Sequence, residues 1–444
     1  MGTLNGKKFK QMDERLNHFV EIAEDTKSLD ISSLKNIYFS EKKNFSLNDI
    51  SKIWVEGLKK NNDLILNLYI NIPFCLSRCK YCRHPAYKFN NILVKIYLNY
   101  LIQLSNYYKK IFKNYSFETL YIGGGTPSIL TLDQIRLLFS SILNNFNIKK
   151  EAIITFECNP NTITYEKLKL LRSLRVNRIS IGVQSTDRKV LKNANRQQQN
   201  IRQVNSAILN AKRIGFESVN VDLILGLKGD NSKSVFASCK HILSMKPDHI
   251  CIYKYKPDSI HFSSYINLSP EDHYKKIQSL SLELIKDLKS LAIIKRNYKI
   301  INNDNCISLE LIANKKLDYE KLRTDFSKSS VLGLGQFALS WLFNTFHYEE
   351  QDNNFIFNEE KKYCSGVLLP DKYEISRYIH YSFKNINSRI DKKEFEGIFN
   401  KKIEEVFGDE LQYLLKIGKI KSDKEYIYFL PKDNKERLVY SMFF

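Results

Sequence analysis

The stretch Tyr69-Ile-Asn-Ile-Pro-Phe-Cys75-Leu-Ser-Arg-Cys79-Lys-Tyr-Cys82 joins two patterns that together decide the fold. Its first residues end a β-rich run, 64–71, which predicts a buried strand. The three cysteines follow at a C-x3-C-x2-C spacing, on the loop after that strand. Reactive loops at the carboxyl ends of parallel strands are typical of α/β barrels. The stretch therefore predicts an α/β fold with its chemistry at one end of a parallel sheet.

The same alternation of a β-rich run and an amphipathic helical pattern occurs six times. The six predicted strands are 64–71, 118–124, 152–158, 178–184, 218–226 and 249–255. Thr131 with Gln134 forms a capping-box signal for the second helix, and Ser269-Pro270 marks the start of a later one. Six right-handed βα units predict an incomplete barrel, a partial (β/α)6 architecture.

The segments before and after these six units lack the alternation of strand and helix patterns. Residues 391–444 show helical patterns followed by one predicted strand at 425–430, so a small C-terminal α+β domain is expected. The predicted division is 1–62 as an N-terminal helical extension, 63–262 as the partial barrel, 263–385 as an accessory region covering the barrel, and 386–444 as the small C-terminal domain.

The composition is that of a soluble globular protein, with 43% hydrophobic and 26% charged residues among 444. No apolar run reaches the 18 or so residues that span a bilayer, and no secretory signal is visible, so a cytoplasmic protein is expected. The formal charge of +21 fits a polyanionic partner, an anionic small substrate or a general lysine bias. Because no basic patch is interleaved with aromatic residues, the sequence argues against nucleic acid.

The three clustered cysteines predict a metal site, because eight cysteines in 444 residues are too scattered for a disulfide framework. Three thiolates at this spacing bind three irons of a [4Fe–4S] cubane and leave the fourth iron open for S-adenosylmethionine (SAM). A zinc site with His84 as fourth ligand is the alternative that ligand type permits. The remaining cysteines are expected to be packing residues, namely Cys158, Cys239, Cys251, Cys306 and Cys364.

Five motifs in order resemble the oxygen-independent coproporphyrinogen III oxidase-like (HemN/HemW-like) radical SAM family. They are Tyr69-x-Asn-Ile-Pro-Phe-Cys75, Gly123-Gly-Gly-Thr-Pro127, Glu157-Cys-Asn-Pro160, Ser180-Ile-Gly-Val-Gln-Ser185 and Val221-Asp-Leu-Ile-Leu-Gly226. The resemblance covers roughly residues 64 to 260 strongly and the remainder weakly. It implies the radical SAM barrel, a cluster that cleaves SAM reductively to a 5′-deoxyadenosyl radical, and an electron donor such as flavodoxin or ferredoxin.

The resemblance also assigns site residues. The cluster ligands would be Cys75, Cys79 and Cys82, the cluster-bound SAM would contact Tyr69, Tyr81, Gly124 and Glu157, and the positions matching a second SAM are Gly125, Thr126, Gln184, Arg196 and Asp222. Plainer alternatives stay open at this point. The tyrosines would be core packing, Glu157 a loop carboxylate, Arg196 a surface arginine and Asp222 a helix-start residue.

Two departures from the family pattern bear on function. Asn71 replaces the usual histidine of the first motif, and His84 stands where coproporphyrinogen oxidases carry a fourth cysteine and haem chaperones a phenylalanine. The resemblance implies an enzyme acting on a tetrapyrrole-like or other bulky substrate, by oxidation or by radical C-methylation with a second SAM. A haem chaperone is the alternative, with His249, His261, His273 or Tyr255 as a candidate axial ligand.

Overall fold

The computed structural model describes most of the chain. The described residues are 6–25, 42–61, 63–257, 265–302, 305–312, 328–350, 355, 357, 363–369, 373–384, 389–431, 436, 439–440 and 443. None of the helices in these ranges is long and apolar enough to cross a membrane.

The strands and helices are numbered here in chain order. The strands are β1 Lys43–Ser46, β2 Ile65–Ile72, β3 Phe74–Cys75, β4 Tyr87–Lys88, β5 Ser116–Gly124, β6 Asn147–Cys158, β7 Arg178–Gln184, β8 Ser218–Leu225, β9 His249–Lys254, β10 Tyr298–Asn302, β11 Cys306–Leu311, β12 Ser329–Leu334, β13 Leu339–Leu342, β14 Phe346–Glu350, β15 Tyr363–Leu368, β16 Arg389–Asp391, β17 Ile420–Ser422 and β18 Tyr426–Phe429. The α-helices are α1 Gly6–Asp25, α2 Leu47–Lys60, α3 Asn91–Phe112, α4 Leu132–Asn145, α5 Tyr165–Ser173, α6 Arg188–Asn193, α7 Ile201–Ile214, α8 Ser232–Ser244, α9 Pro270–Ser290, α10 Ala292–Asn297, α11 Tyr373–Lys384, α12 Lys392–Phe399, α13 Ile403–Val406 and α14 Gly408–Lys416.

The six predicted parallel strands are confirmed as β2, β5, β6, β7, β8 and β9, which neighbour one another in that order. Each pair is parallel, and β7 has the bounds expected from the sequence. The two predicted helix starts are also confirmed. Thr131 and Gln134 cap α4 reciprocally, and the Ser269 side chain accepts from the Asp272 N–H at the start of α9. The α/β barrel prediction is therefore correct.

The sheet is larger than predicted. A seventh parallel strand, β12, pairs with β2 so that Gly333 lies opposite Tyr69. Antiparallel strands extend both edges, and the full order is β1-β15-β14-β13-β12-β2-β5-β6-β7-β8-β9-β11-β10. The region after residue 292, which lacks the alternation of strand and helix patterns, thus contributes six of the thirteen strands.

Alternation along the strands separates the core from the interior of the barrel. In β2, Leu66, Leu68 and Ile70 are buried among apolar side chains of the main core, while Asn67 and Tyr69 face a cavity. This follows from strand geometry, because successive side chains point to opposite faces of a sheet. The apolar side chains pack against the helices outside the sheet, and the polar side chains line the cavity inside it.

The two ends of the chain pack against each other. The Arg15 guanidinium donates to Glu410 at 2.9 Å, and Phe19 is buried in the core of the C-terminal residues. The first sixty residues are not purely helical as predicted, because β1 pairs with β15. The expected C-terminal strand is present as β18, at the centre of the small sheet β16-β18-β17. The domain limits at 62, 262 and 385 stay a prediction.

Candidate functional site

The carboxyl ends of the parallel strands open onto one cavity of about 2430 Å³. All twelve residues predicted for the site lie along its wall, namely Tyr69, Cys75, Cys79, Tyr81, Cys82, Gly124, Gly125, Thr126, Glu157, Gln184, Arg196 and Asp222. His84 also lines it. The structure thus brings together residues that are spread over more than 150 positions of the sequence.

Residues 75–86, here called the cysteine loop, connect β3 to β4. These two strands pair in parallel and close the loop at its base. Its three thiols are free and half-buried, whereas the five remaining cysteines are buried, as predicted for packing residues. Cys75 Sγ lies 3.3 Å from the Thr126 hydroxyl. Burial raises the pKa of the Cys75 and Cys82 thiols, so a nearby positive centre is needed to favour their thiolates.

Arg196 supplies positive charge directly beside this loop. Its Nη1 lies 3.8 Å from Cys79 Sγ and 3.3 Å from the Tyr81 hydroxyl, and its Nη2 donates to the Gly182 carbonyl at 2.6 Å and to Gln199 at 2.7 Å. The side chain is 6% exposed, so the surface-arginine alternative is wrong. Its buried Nε has no partner among the described residues. A fixed cation next to the thiols fits a cluster of net negative charge.

Asn71, at the position where the family has histidine, connects three parts of the site. Its Oδ1 accepts from the Tyr69 hydroxyl at 2.9 Å, and its Nδ2 donates to the Gln336 carbonyl at 2.6 Å. A Cβ at Gly124 would come within 2.0 Å of Asn71 Oδ1, and Gly124 has a φ of +109°. Only glycine allows this approach with this backbone. The Gln336 side chain also accepts from the Tyr87 hydroxyl at 2.8 Å, so Gln336 contacts β4, the strand that follows the cysteine loop.

Glu157 lies at the end of β6 and is part of the strand, so the loop-carboxylate alternative is wrong. One carboxylate oxygen accepts from the Tyr121 hydroxyl, and the other accepts from the Gly124 N–H at 3.3 Å. Gly125 is equally constrained, because its N–H donates to the Ile72 carbonyl and a Cβ there would lie 2.7 Å from the Phe74 carbonyl oxygen. Residues 123–125, here called the glycine loop, thus lie between β2 and β6.

A second group of polar side chains lies on β7 and β8. Asp222 accepts from the Ser180 hydroxyl at 2.7 Å and from the Asn220 amide at 2.8 Å. Because Asp222 lies within β8, the helix-start alternative is wrong. Gln184 ends β7 in the left-handed conformation with a φ of +68° and lines the same wall. Sequence reasoning assigned no role to Ser180, Asn220 and Tyr121, although Asn220 lies two residues before Asp222 on the same face of β8.

The histidines proposed as axial ligands differ in position. His273 lines the cavity, and its Nε2 lies 2.9 Å from the Tyr255 carbonyl oxygen. His249 lies at the start of β9, and burial lowers its pKa to about 4. His261 lies outside the described residues. Tyr255 is buried at the cavity wall beside His273.

The donor set fits an iron–sulfur cluster. In a cubane each thiolate binds a different iron, so the thiols surround the cluster and do not converge on one ion. Within the described ranges, no three His, Cys, Asp or Glu side chains are arranged to hold a single metal ion together.

Comparison with known proteins agrees with these motifs. Residues 69–242 match the model of the radical SAM superfamily. The haem chaperone HemW of Buchnera aphidicola is 30% identical over 210 residues, which cover 47% of this chain and 55% of that protein. The oxygen-independent coproporphyrinogen III oxidase of Salmonella typhimurium is 32% identical over 200 residues, covering 43% of this chain and 42% of that one. The matches thus span about half of these relatives' length.

The fold has a counterpart among solved structures. The coproporphyrinogen III oxidase HemN from Escherichia coli, described as a radical SAM enzyme, superposes with a TM-score of 0.73. The alignment covers 93% of this chain and 98% of that one at 22% sequence identity. The likeness concerns the fold and, at 93% of this chain, extends well beyond residues 69–242.

Proposed function

We propose that this chain, which matches the radical SAM superfamily model over residues 69–242 and is similar to HemW and coproporphyrinogen III oxidase proteins, holds a [4Fe–4S] cluster on Cys75, Cys79 and Cys82 and uses it to cleave SAM reductively. The observation that supports this most is the single cavity onto which the three thiols, Arg196 and the glycine loop all open. When bound, the cluster and SAM supply one-electron cleavage to a 5′-deoxyadenosyl radical.

The protein's own groups would bind and orient SAM. The Gly124 backbone approaches the cavity without a side chain in the way, and the Glu157 carboxylate beside it is a hydrogen-bond acceptor suited to ribose hydroxyls. Arg196 would hold Tyr81 and Cys79 in place, acting as a positioning residue. The side chains of Tyr69 and Tyr121 would exclude water next to the bound adenosyl group.

A tetrapyrrole-like substrate suits the cavity and the names of the relatives. A volume of about 2430 Å³ exceeds what SAM requires and is lined at its mouth by Arg78, Arg83, Lys88 and Lys256. Cations at this position would pair with carboxylate groups on a bulky substrate. The reaction would be an oxidation, or a radical C-methylation in which a second SAM occupies Gly125, Thr126, Gln184, Arg196 and Asp222.

A haem chaperone is the second candidate, supported by the HemW proteins among the relatives. Of the candidate axial ligands, Tyr255 and His273 line this cavity, and we take His273 as the first candidate because imidazole is a common ligand of haem iron. Use of its Nε2 as a ligand would require the contact with the Tyr255 carbonyl to be given up.

Anaerobic reconstitution separates these functions. The chain, incubated with SAM and dithionite, is expected to bind about four irons and release 5′-deoxyadenosine, because the cluster has one open iron. Cys82→Ala should lose both properties, while Cys239→Ala, which removes a buried thiol away from the cavity, should retain them. Stoichiometric zinc without iron would contradict the proposal.

The same assay with added substrate distinguishes the finer alternatives. A coproporphyrinogen-type oxidation would change the mass of an added porphyrinogen, and a methylase would release S-adenosylhomocysteine together with 5′-deoxyadenosine. A chaperone would bind haem and release little of either product. His273→Ala should then weaken haem binding without changing iron content.

A further inference from the structure

Two of the five buried cysteines lie on the inner face of the barrel. Cys251 is in β9, beside Asp222 of β8 and opposite Ser308 of β11. Cys306 is opposite Tyr253, and because residues two apart on a strand share a face, the thiols of Cys251 and Cys306 lie on the same side of the sheet. This is the cavity side, because Asp222 and Tyr253 both line the cavity.

The Cys251 thiol is joined to the cavity wall through Tyr253. It is hydrogen-bonded to the Cys306 thiol and to the side chain of Tyr253. Cys251 is 1% exposed, whereas Tyr253 is 39% exposed. Neither cysteine lines the cavity that the described residues form. The thiol therefore lies one side chain beneath the cavity surface.

This environment keeps the Cys251 sulfur protonated. Its hydrogen bond with Cys306, together with burial, raises the pKa of the Cys251 thiol well above its usual range. Nucleophilic attack and metal binding need the thiolate, so the neutral thiol is suited to neither. An S–H bond is weaker than an aliphatic C–H bond, however, so a neutral thiol readily gives a hydrogen atom to a carbon radical.

We propose that Tyr253 and Cys251 together donate a hydrogen atom to a carbon radical in the cavity. The inference rests on the proposed function, because SAM cleavage supplies the first radical. The Tyr253 O–H bond breaks as a C–H bond forms on the radical, and the Tyr253 phenoxyl then takes the hydrogen atom of the Cys251 S–H bond. The thiyl radical on Cys251 returns to the thiol by gaining one electron from the reductant that also reduces the cluster and one proton from water.

The donor changes the class of reaction that the cavity can complete. A substrate radical that receives a hydrogen atom leaves as a C–H product, so the substrate is not oxidised in that turnover. Reactions that return a hydrogen atom to the substrate, such as isomerisation, thereby join oxidation and methylation. Without a substrate, the donor quenches the 5′-deoxyadenosyl radical itself.

Other roles suit this pair of cysteines less well. They occupy diagonal positions of two antiparallel strands, where Cα atoms are about 7 to 8 Å apart. A disulfide needs Cα atoms within about 7 Å, so its formation would require movement of the sheet. Packing alone does not require hydrogen-bonding sulfur next to the hydroxyl group of Ser308, which lies 3.6 Å from Cys306 Sγ.

Tyr253 also differs from the phenols of β2 and β5. The Tyr69 hydroxyl donates to Asn71, and the Tyr121 hydroxyl donates to Glu157. Both O–H bonds are thus directed at oxygen acceptors. Tyr253 has a thiol as a partner, which can replace the hydrogen atom that the phenol gives away.

A first test needs neither cluster nor SAM. The S–H stretch absorbs in an infrared window free of other protein bands, so the Cys251 band is the one missing in Cys251→Ala. Tyr253→Phe should shift that band, because the hydrogen bond to the hydroxyl is lost. Tyr274→Phe, at another exposed tyrosine of the cavity wall, should not. An unshifted band in Tyr253→Phe would refute the contact and the donor.

The second test uses SAM as the probe and heavy water as the source of label. Hydroxyl and thiol hydrogens exchange with heavy water, whereas C–H hydrogens do not. Reconstituted protein is incubated with SAM and dithionite, without substrate or added thiols, and deuterium is counted per molecule of 5′-deoxyadenosine. Slow variants thus stay comparable. Most of the product from the parent should carry one deuterium, taken from Tyr253.

The variants separate the two steps. Tyr253→Phe should lose most of the label, because phenylalanine has no exchangeable hydrogen to give. Cys251→Ala should accumulate a tyrosyl radical in samples frozen during turnover, detected by electron paramagnetic resonance, because no thiol refills the phenol. Tyr274→Phe and Cys239→Ala, whose thiol is buried on α8, should match the parent in label and show no radical. If Cys251→Ala does not fold, Cys251→Ser should give the same radical.

Two kinds of failure can be told apart. Unlabelled 5′-deoxyadenosine from the parent, or equal label in Tyr253→Phe and the parent, would overturn the donor and leave SAM cleavage standing. A parent that makes no 5′-deoxyadenosine at all would refute the proposed function, and the donor with it, since no radical is then formed.

Discussion

Asn71 shows how a single side chain can join the site to the rest of the protein. Its amide contacts Tyr69 and Gln336, and its oxygen lies against Gly124. Asn71→Ala would leave the buried Gln336 carbonyl without this donor, and buried polar groups that lose a partner cost about 1 to 3 kcal/mol. We expect SAM affinity to fall by about five- to 100-fold, measured by equilibrium binding to the reconstituted protein.

The control for this change is Asn302→Ala. Asn302 lies at the opposite rim of the cavity, where its side chain accepts from Lys254 at 2.9 Å. Its removal should leave SAM affinity unchanged. Equal affinities in Asn71→Ala and the parent would mean that the glycine loop holds its position without this amide.

The stability of the fold depends on pH through the buried His249. Burial, followed by the charge of Arg178, lowers its pKa from 6.5 to about 4 in the folded state. Between these values the unfolded chain binds a proton that the folded chain does not, so stability falls as the pH drops from 6.5 towards 4. This residue alone should make the free energy of unfolding about 2 kcal/mol lower at pH 5 than at pH 7.

Urea unfolding at the two pH values checks this. In His249→Gln the difference between pH 5 and pH 7 should shrink by about that amount, because glutamine does not titrate. His18→Gln, on an exposed position of α1, is the control and should keep the parental difference. An unchanged difference in His249→Gln would contradict a depressed histidine pKa.

The loop after β5 is the element on which the cavity depends most. At Gly125 a methyl group would lie 2.7 Å from the Phe74 carbonyl oxygen and 2.8 Å from the Phe74 nitrogen, next to Cys75. Both contacts are to backbone, so relief requires movement of the cysteine loop. Gly125→Ala should cost about 1 to 3 kcal/mol of stability and lower the iron bound after reconstitution.

Gly397→Ala is the matched control, because no atom lies within 4 Å of a methyl group there and the residue is within α12. A helical glycine replaced by alanine should gain up to about 1 kcal/mol. Iron content and thermal midpoint together decide the comparison. Full iron loading of Gly125→Ala would show that the cysteine loop tolerates displacement.

Elements with a local pattern could be predicted from the sequence, and elements defined by distant partners could not. The strand β7 and the caps of α4 and α9 follow from neighbouring residues. The strand β12 depends on pairing with β2, and β1 depends on pairing with β15, each more than 250 residues away. Nothing near Ser329–Leu334 encodes that register.

The features of the candidate site also divide into those that the sequence predicts and those that depend on distant contacts. The resemblance assigned twelve residues that all lie on the cavity wall, and they meet there because parallel strands bring their carboxyl ends to one edge. The hydrogen bond from Asn71 to Gln336 and the contact of Arg196 with Tyr81 depend on how loops pack, which the spacing of motifs does not specify. The roles of the SAM-contacting residues stay predictions.

At the scale of the whole molecule, the packing of helix α1 against the C-terminal residues can be tested by its effect on stability. Phe19 on α1 is 8% exposed and lies in the core of the C-terminal residues, beside the ion pair of Arg15 with Glu410. Phe19→Ala should cost about 3 to 5 kcal/mol, because it leaves a cavity in that core. Thermal unfolding should show an earlier transition, and limited proteolysis should cut the C-terminal residues faster.

His18→Ala is the neighbouring control on the same helix, and its exposed ring predicts no change. SAM cleavage by Phe19→Ala at low temperature should be retained, since no residue of α1 lines the cavity. Equal protease sensitivity of the two variants would mean that α1 is dispensable for the C-terminal core.

The contact between Asn71 and Gln336, 265 residues apart, also has a consequence during synthesis. At about 5 to 20 residues per second, the ribosome needs roughly 10 to 50 seconds to proceed from the cysteine loop to Gln336. During that interval β2 has no β12 beside it, and the thiols of Cys75, Cys79 and Cys82 are not yet enclosed from that side. The order of translation thus leaves a period in which the cysteine loop is present without the hydrogen bonds that Gln336 makes to Asn71 and Tyr87.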